Sequence, residues 1–309
     1  MLALLALLAF TSFQAPARVV SITIDDLPAT GQDWAAITTG LLAALKDHNA
    51  PAIGFVNERK LYVDGALDSS RVALLQAWLD AGHQLGNHTF AHRSANRTPL
   101  NEYLDGIVQG ERVTLSLRSP SPEGRGGQGV RTNVRSGVKY FRHPQLQTGR
   151  SLAYRDSVNR FLAAHGYRVA PVTVDNQEWL YARAYVTARQ RHDSALTRRV
   201  VIDYFAHMDN AFSYSESLSR QLFNREIPLV LLLHANQLNA DHLDALLQHF
   251  TDRGYRFVTL DSALADSAYR SSDTYIGPMG ESWLIRWALT RGIEPGAQPR
   301  EQDYIRTLQ

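Results

Sequence analysis

No cysteine occurs in the 309 residues. Disulfide staples, thiolate metal centres and cysteine nucleophiles are excluded together, so any metal must rest on His, Asp or Glu. Lysine is scarce: among the 32 Lys and Arg residues only Lys46, Lys60 and Lys139 are lysines, a skew that carries no functional reading. A dominant charge is missing too. With 32 basic residues against 30 acidic ones the formal net charge is +2, too close to balance for the basic stripe of a nucleic-acid binder. The apolar start, Leu2 to Phe10, is too short to span a bilayer. With Ala15-Pro16-Ala17 behind it, and although no Lys or Arg precedes it, residues 1–17 read as a signal peptide. The expectation is export to the periplasm or cell envelope, with no stable membrane insertion once the leader is cleaved.

What is present describes a globular chain: 44% hydrophobic and 20% charged residues, long enough for one large α/β domain or two small ones. From Val19 onward, short β-type runs alternate with stretches of helical period, the pattern of parallel strands joined by crossover helices. Strands are expected at Val19–Ile24, Ala52–Val56, Gln84–Gly86, Tyr140–Phe141, Arg168–Val174, Leu229–Leu233 and Arg256–Val258. Helices are expected at Trp34–His48, Arg71–Ala81, Ser151–His165, Ser213–Asn224 and Ala240–Arg253. Between Leu117 and Val138 the composition turns to Ser, Pro, Gly and Arg, which reads as an inserted solvated loop. The tail, residues 266–309, carries Trp283 and Trp287 four apart on an expected helix, whose plain role is packing on the main domain.

Polar residues gather where the apolar runs stop: Asp25-Asp26, His88, Arg142, Asp175 and His234. In parallel α/β folds that edge is where active sites are built. His88 and His92 stand four apart, a spacing that suits a borderline divalent cation but also occurs by accident. Thr89 follows His88, so the zinc-protease pattern with Glu in that place is absent. Asp25 and Asp26 leave a strand in different directions. One can ligate a cation while the other stays free to take a proton from water; helix capping or a turn is the plainer use of such a pair, and Pro28 fits a turn. His234 ends a run that reads as buried and suits a proton donor or a satisfied core histidine. Asp175 is a candidate partner that would raise its pKa, and Arg142 a candidate bidentate clamp for the free aspartate or a structural salt bridge.

Taken in order, Thr23-Ile24-Asp25-Asp26, His88-Thr89-Phe90-Ala91-His92, Arg142-His143-Pro144-Gln145, Asp175-Asn176-Gln177-Glu178-Trp179 and Leu232-Leu233-His234 closely resemble the five ordered motifs of the polysaccharide deacetylases, carbohydrate esterase family 4. The resemblance spans roughly residues 19 to 265. It implies a distorted (β/α) barrel, here over residues 18–265 with a C-terminal helical extension over 266–309. It also implies a metal-dependent hydrolase that removes acetyl groups from N-acetylated sugars of a cell-wall or chitin-like polysaccharide. By that resemblance Asp25 is the general base, His234 the general acid, and Asp26, His88 and His92 the metal ligands. Arg142 orients the base, Asp175 tunes the acid histidine, a backbone N–H near Gln145 binds the oxyanion, and Trp179 forms an aromatic wall. The implied cofactor is Zn2+, with Co2+ or Ni2+ fitting the same donors; the implied partner is an acetylated glycan. This chain departs from the pattern at Ile24 for the usual Phe, Leu27 for Gly, Gln145 for an aromatic and Glu178 for the second acid of the fourth motif. Two other readings use the same residues: a hydrolase of a small non-sugar amide, and a glycan-binding protein whose site the insertion has impaired.

Overall fold

The structure, a computed structural model, describes residues 18–118 and 138–308. The expected signal peptide and nearly all of the expected insertion lie outside the described residues.

The main sheet is parallel. Its strands are β1 (Arg18–Leu27), β2 (Ala52–Val56), β5 (Gln84–Asn87), β6 (Lys139–Phe141), β7 (Tyr167–Val169), β8 (Leu229–His234) and β9 (Tyr255–Phe257); the short hairpin β3 (Tyr62–Val63) and β4 (Ala66–Leu67) stands apart. The order is β7-β6-β5-β2-β1-β8, with β9 also paired to β1. After β7 the chain crosses back, and Val174 forms a parallel bridge to Leu231 of β8. The two ends of the sheet therefore approach one another, and the sheet curls into a (β/α) barrel.

Eleven helices are described: α1 (Trp34–Asp47), α2 (Ser69–Asp80), α3 (Leu100–Gln109), α4 (Arg112–Arg118), α5 (Leu152–Ala164), α6 (Glu178–Gln190), α7 (Ser194–Phe223), α8 (Gln237–Asp252), α9 (Leu260–Leu264), α10 (Trp283–Thr290) and α11 (Asp303–Thr307). The expected helix Ser213–Asn224 is only the last third of the 30-residue α7. The polar stretch that hides its beginning contains no Gly or Pro to stop it, and Asp193 caps it by accepting from the Leu196 N–H.

Strand parity explains what faces where. Along β1, Val20, Ile22 and Ile24 join the large cluster of buried residues that includes Leu41 of α1 and Leu243, Leu246 and Leu247 of α8. Ser21, Thr23 and Asp25 alternate with them and are buried as well, on the opposite face. Ile53 and Phe55 of β2, Tyr140 of β6, Ala170 just after β7 and Val230 of β8 form a second cluster, with Leu260, Ala263 and Leu264 of α9 packed into it. Gly86 belongs here because a Cβ would lie 2.4 Å from the Phe55 ring. Residues of the same parity at the carboxyl ends of β5, β6 and β8 are His88, Arg142 and His234, so one face of the barrel, followed to its carboxyl end, passes from apolar to polar.

The C-terminal extension is part of this core. Trp283, Leu284, Ile285, Trp287 and Ile305 are buried in the same cluster as β1, and the Trp283 N–H donates to the Val172 carbonyl at 2.7 Å.

Candidate active site

Asp25 is 2% exposed and is held by one nitrogen of Arg142. Nη1 lies 3.2 Å from Oδ1 and 3.4 Å from Oδ2. The bidentate fork expected from sequence does not form, since the other two nitrogens are engaged elsewhere: Nε donates to the Ala170 carbonyl at 2.8 Å and Nη2 to Thr23 Oγ1 at 2.9 Å. Thr23 in turn donates to the Leu231 carbonyl, and the guanidinium lies over the Phe55 ring. The buried arginine thus ties β1, β6, β8 and the segment after β7 together. Burial raises the Asp25 pKa, while the positive charge of Arg142 opposes that rise.

The next residue points elsewhere because the β1–β2 register shifts between Ile24 and Leu27, and Asp26 takes a left-handed φ of 71°. Its Oδ1 lies 3.7 Å from His92 Nε2 and 3.8 Å from Lys60 Nζ, and Lys60 also donates to the Asp26 carbonyl at 2.8 Å. Although burial alone would raise it, the positive groups around Asp26, Lys60 foremost, hold its carboxyl well below the usual carboxylate range.

His88 and His92 are carried by the turn that follows β5, and their rings lie 4.8 Å apart. Thr89 and His92 both take positive φ. Asn87 supports that turn: its Oδ1 accepts from the Thr89 N–H, and its Nδ2 donates to the Ile107 carbonyl and to Tyr167 Oη. Burial lowers both imidazoles to about 4, so they are neutral at neutral pH. The Nδ1–H of His88 faces the Arg142 carbonyl at 2.8 Å, which leaves Nε2 with its lone pair toward the site; a backbone acceptor behind a histidine is how ligating imidazoles are usually oriented. Ligand atoms of Asp26, His88 and His92 lie within 4.8 Å of one another. One carboxylate and two neutral imidazoles, with no sulfur, fit a zinc-type divalent cation that keeps an open position. The donor set is therefore right for the group.

His234 ends β8 level with Asp25 in the parallel register. Its hydrogen-bond partner is Glu178 and not Asp175. Nδ1 lies 2.9 Å from Glu178 Oε2, and the His234 N–H donates to Oε1 at 2.9 Å. Register gives the reason: Val174 stands opposite Leu231, so Asp175 comes level with Leu232, two residues short of the histidine. Gln177, with φ 51°, then turns the chain so that Glu178, at the start of α6, reaches the strand end. Glu178 is buried and also accepts from Asn236 and Asn239. Burial lowers the His234 pKa, yet the Glu178 carboxylate, with help from Asp26 and Asp25, lifts it to about 9. Asp175 lies within electrostatic range of both His234 and Arg142, and burial raises its pKa.

The remaining residues lie on the rim. Gln145 follows Arg142 in a tight turn where it and Leu146 have φ 57° and 53°; its Oε1 accepts from Arg97, and its N–H has no acceptor among the described residues. Trp179 stands on the first turn of α6 with 42% of its surface exposed. Sequence reasoning passed over Lys60 and gave the wrong acid to His234; Asn236 and Asn239 donate to Glu178, but Asn236 also caps α8 and Asn239 also accepts from Tyr204, so they left no distinct sequence signal for it.

Comparison with known proteins bears on the family and the fold. The family model described as polysaccharide deacetylase matches residues 13–118. The peptidoglycan-N-acetylglucosamine deacetylase PgdA of Listeria monocytogenes is 21% identical over 243 residues, 78% of this chain but 38% of that protein, so the chain spans well under half of that relative's length. A family 4 acetyl xylan esterase from Clostridium thermocellum, solved with cobalt, superposes with a TM-score of 0.50 at 19% identity, covering 80% of this chain and 91% of that one. A CE4 family pseudoenzyme from Bacillus anthracis gives a TM-score of 0.50 at 16% identity, covering 80% and 66%. At these identities the solved structures speak for the fold. The chain is thus similar to polysaccharide deacetylases over residues 13–118, and its curled parallel sheet with surrounding helices is the (β/α) barrel fold of these solved structures.

Proposed function

We propose that the protein is a metal-dependent hydrolase that removes acetyl groups from N-acetylated sugars of a cell-wall or chitin-like polysaccharide, outside the cytoplasm. The observation that carries this reading is the junction at the sheet's carboxyl edge. A three-donor set, Asp26, His88 and His92, adjoins a second carboxylate, Asp25, that is fixed by Arg142, and a charged imidazole, His234, stands level with that carboxylate.

A divalent cation bound by the three donors, Zn2+ by their chemistry and Co2+ or Ni2+ by the same fit, would supply Lewis acidity at the acetyl carbonyl. The protein's own residues do the rest. Asp25, its pKa raised by burial, takes the proton from the attacking water. His234, held protonated by Glu178, gives its proton to the departing sugar nitrogen. The unpartnered Gln145 N–H donates a hydrogen bond to the carbonyl oxygen as negative charge develops on it, one arm of an oxyanion hole. Trp179 offers an exposed face for a sugar ring, and Asp175 adds negative potential behind His234. The substrate class follows the family and the name of the Listeria relative; export follows the leader-like start of the sequence and that same relative. No helix among the described residues is long and apolar enough to cross a membrane.

The test is to incubate the purified chain with N-acetylglucosamine oligomers and with peptidoglycan and to follow free amine and acetate together. Equal yields of both support the reading. Acetate without amine would mean ester rather than amide cleavage, and neither product would remove the deacetylase assignment.

A further inference from the structure

We propose that the C-terminal segment Gly277–Gly280 belongs to the catalytic apparatus, as the clamp that holds the Gln145 backbone in its oxyanion-binding conformation, with Gly280 and Asn96 as positioning residues. The proposal rests on the role given above to the Gln145 N–H.

Gln145 and Leu146 are consecutive non-glycine residues with left-handed φ. Such conformations persist only where the surroundings impose them. Within the turn itself there are two backbone bonds, from the Leu146 N–H to the His143 carbonyl and from the Gln147 N–H to the Pro144 carbonyl. Arg97 and Ser94 hold the Gln145 and Gln147 side chains, and the contact on the backbone itself comes from more than a hundred residues further along the chain. Gly280 lies directly on the turn: a Cβ there would stand 1.8 Å from the Gln145 carbonyl oxygen and 2.8 Å from the Leu146 carbonyl carbon. Both are backbone atoms, which cannot swing aside as the end of a side chain can. Only glycine permits this approach.

Side chains fix the segment in place. Asn96 Nδ2 donates to the Gly277 and Pro278 carbonyls, each at 3.1 Å, while its Oδ1 accepts from the Gly149 N–H at 3.0 Å. Asn96 thus joins three loops: its own, which carries His92 four residues earlier, the turn after β6, and the C-terminal segment. Further along, buried Arg286 donates to Thr148 Oγ1 and pairs with Asp273. The segment is bound at both ends to the loop that bears Gln145, and its glycine presses on the residue whose N–H is free.

The expectation follows directly. Gly280→Ala must push the Gln145 carbonyl away and with it the N–H of the same residue. Asn96→Ala removes two bonds to the segment without adding any atom. Each variant is prepared as the full chain and loaded with Zn2+. Turnover of the N-acetylglucosamine tetramer, Zn2+ affinity by calorimetry and the fold by circular dichroism are then measured. Removing a whole oxyanion donor costs about 100- to 1,000-fold in kcat, so a displaced one is expected to cost about 10- to 100-fold in Gly280→Ala, with KM and Zn2+ affinity within about threefold of the parent. Asn96→Ala is expected to lose about 3- to 10-fold in kcat alone. A folded, Zn2+-binding Gly280→Ala protein with parental kcat overturns the proposal, as does a rise confined to KM. If Gly280→Ala does not fold, Asn96→Ala decides by the same criteria. A parent that binds Zn2+ and releases no acetate would instead refute the functional reading on which the clamp depends.

Discussion

Glu178 can be tested without any substrate. Substituting it by Gln keeps an oxygen acceptor for the His234 and asparagine donors but removes the charge. In the folded protein the His234 pKa is lifted to about 9 from an ordinary 6.5, a difference of about 3 kcal/mol. Burial pulls in the other direction, and Glu178 leads the groups that raise the pKa. Loss of its charge is therefore expected to bring the histidine down by about 1–3 pH units toward or below its ordinary value. The sign for stability follows from linkage. A histidine whose pKa is raised by folding stabilises the native state fully below about 6.5, and that contribution fades as the pH rises through about 9. The parent should accordingly lose up to about 3 kcal/mol between pH 6.5 and pH 9.5 relative to Glu178→Gln, a difference in slope that isolates this pair from groups common to both proteins. Urea unfolding at the two pH values reads it, and ring nitrogen chemical shifts give the titration of His234 itself. Parallel stability curves, or a parent His234 that titrates at its ordinary value, would refute the pairing.

Other expectations concern the remaining residues. Asp25→Asn should bind Zn2+ with parental affinity and lose about 100- to 10,000-fold in kcat; retained turnover would remove Asp25 from the base role. His88→Ala and His92→Ala should each weaken Zn2+ binding by more than the 10- to 100-fold typical of residues behind the ligands, as read by calorimetry, and unchanged binding in either would remove it from the donor set. Arg142→Met strands the buried Asp25 carboxylate and should cost about 3–5 kcal/mol of unfolding free energy near neutral pH; a cost below 1 kcal/mol would show that Asp25 does not depend on it. Trp179→Ala should raise KM for the tetramer more than it changes kcat, and equal KM would take the indole out of the substrate groove.

How far these features were legible in the sequence depends on what kind of signal each one left. The strand Ala52–Val56 was read with its full boundaries because five buried apolar residues between turn formers have one reading. The carboxyl-edge position of Asp25, His88, Arg142 and His234 was legible for a related reason: parallel strands buried on both faces are largely apolar, so the first ionisable side chain after the apolar run marks the edge. What followed from register was not legible. Whether Asp175 or Glu178 meets His234 depends on a single bridge, Val174 to Leu231, and on the left-handed turn at Gln177, neither of which has a compositional mark. Arg142 was rightly placed beside Asp25, but its one-nitrogen grip depends on Ala170 and Thr23, which only the folded barrel brings near. The start of α7 was missed because its first turns are polar and exposed, and only its later turns show the apolar period. The C-terminal tail looked like an appendage. Trp283, Trp287 and Ile305 belong instead to the central core, and Gly280 gave no sequence sign of the contact it makes.

The most direct test of the central claim is acetate release from N-acetylglucosamine oligomers by the purified protein, measured after chelation and again after one equivalent of Zn2+ is restored. Asp25→Asn is carried through the same steps. The account predicts release that chelation abolishes and Zn2+ restores in the parent, and that Zn2+ does not restore in the variant. Release that survives complete chelation, or a parent that binds Zn2+ at Asp26, His88 and His92 and releases nothing, would contradict it.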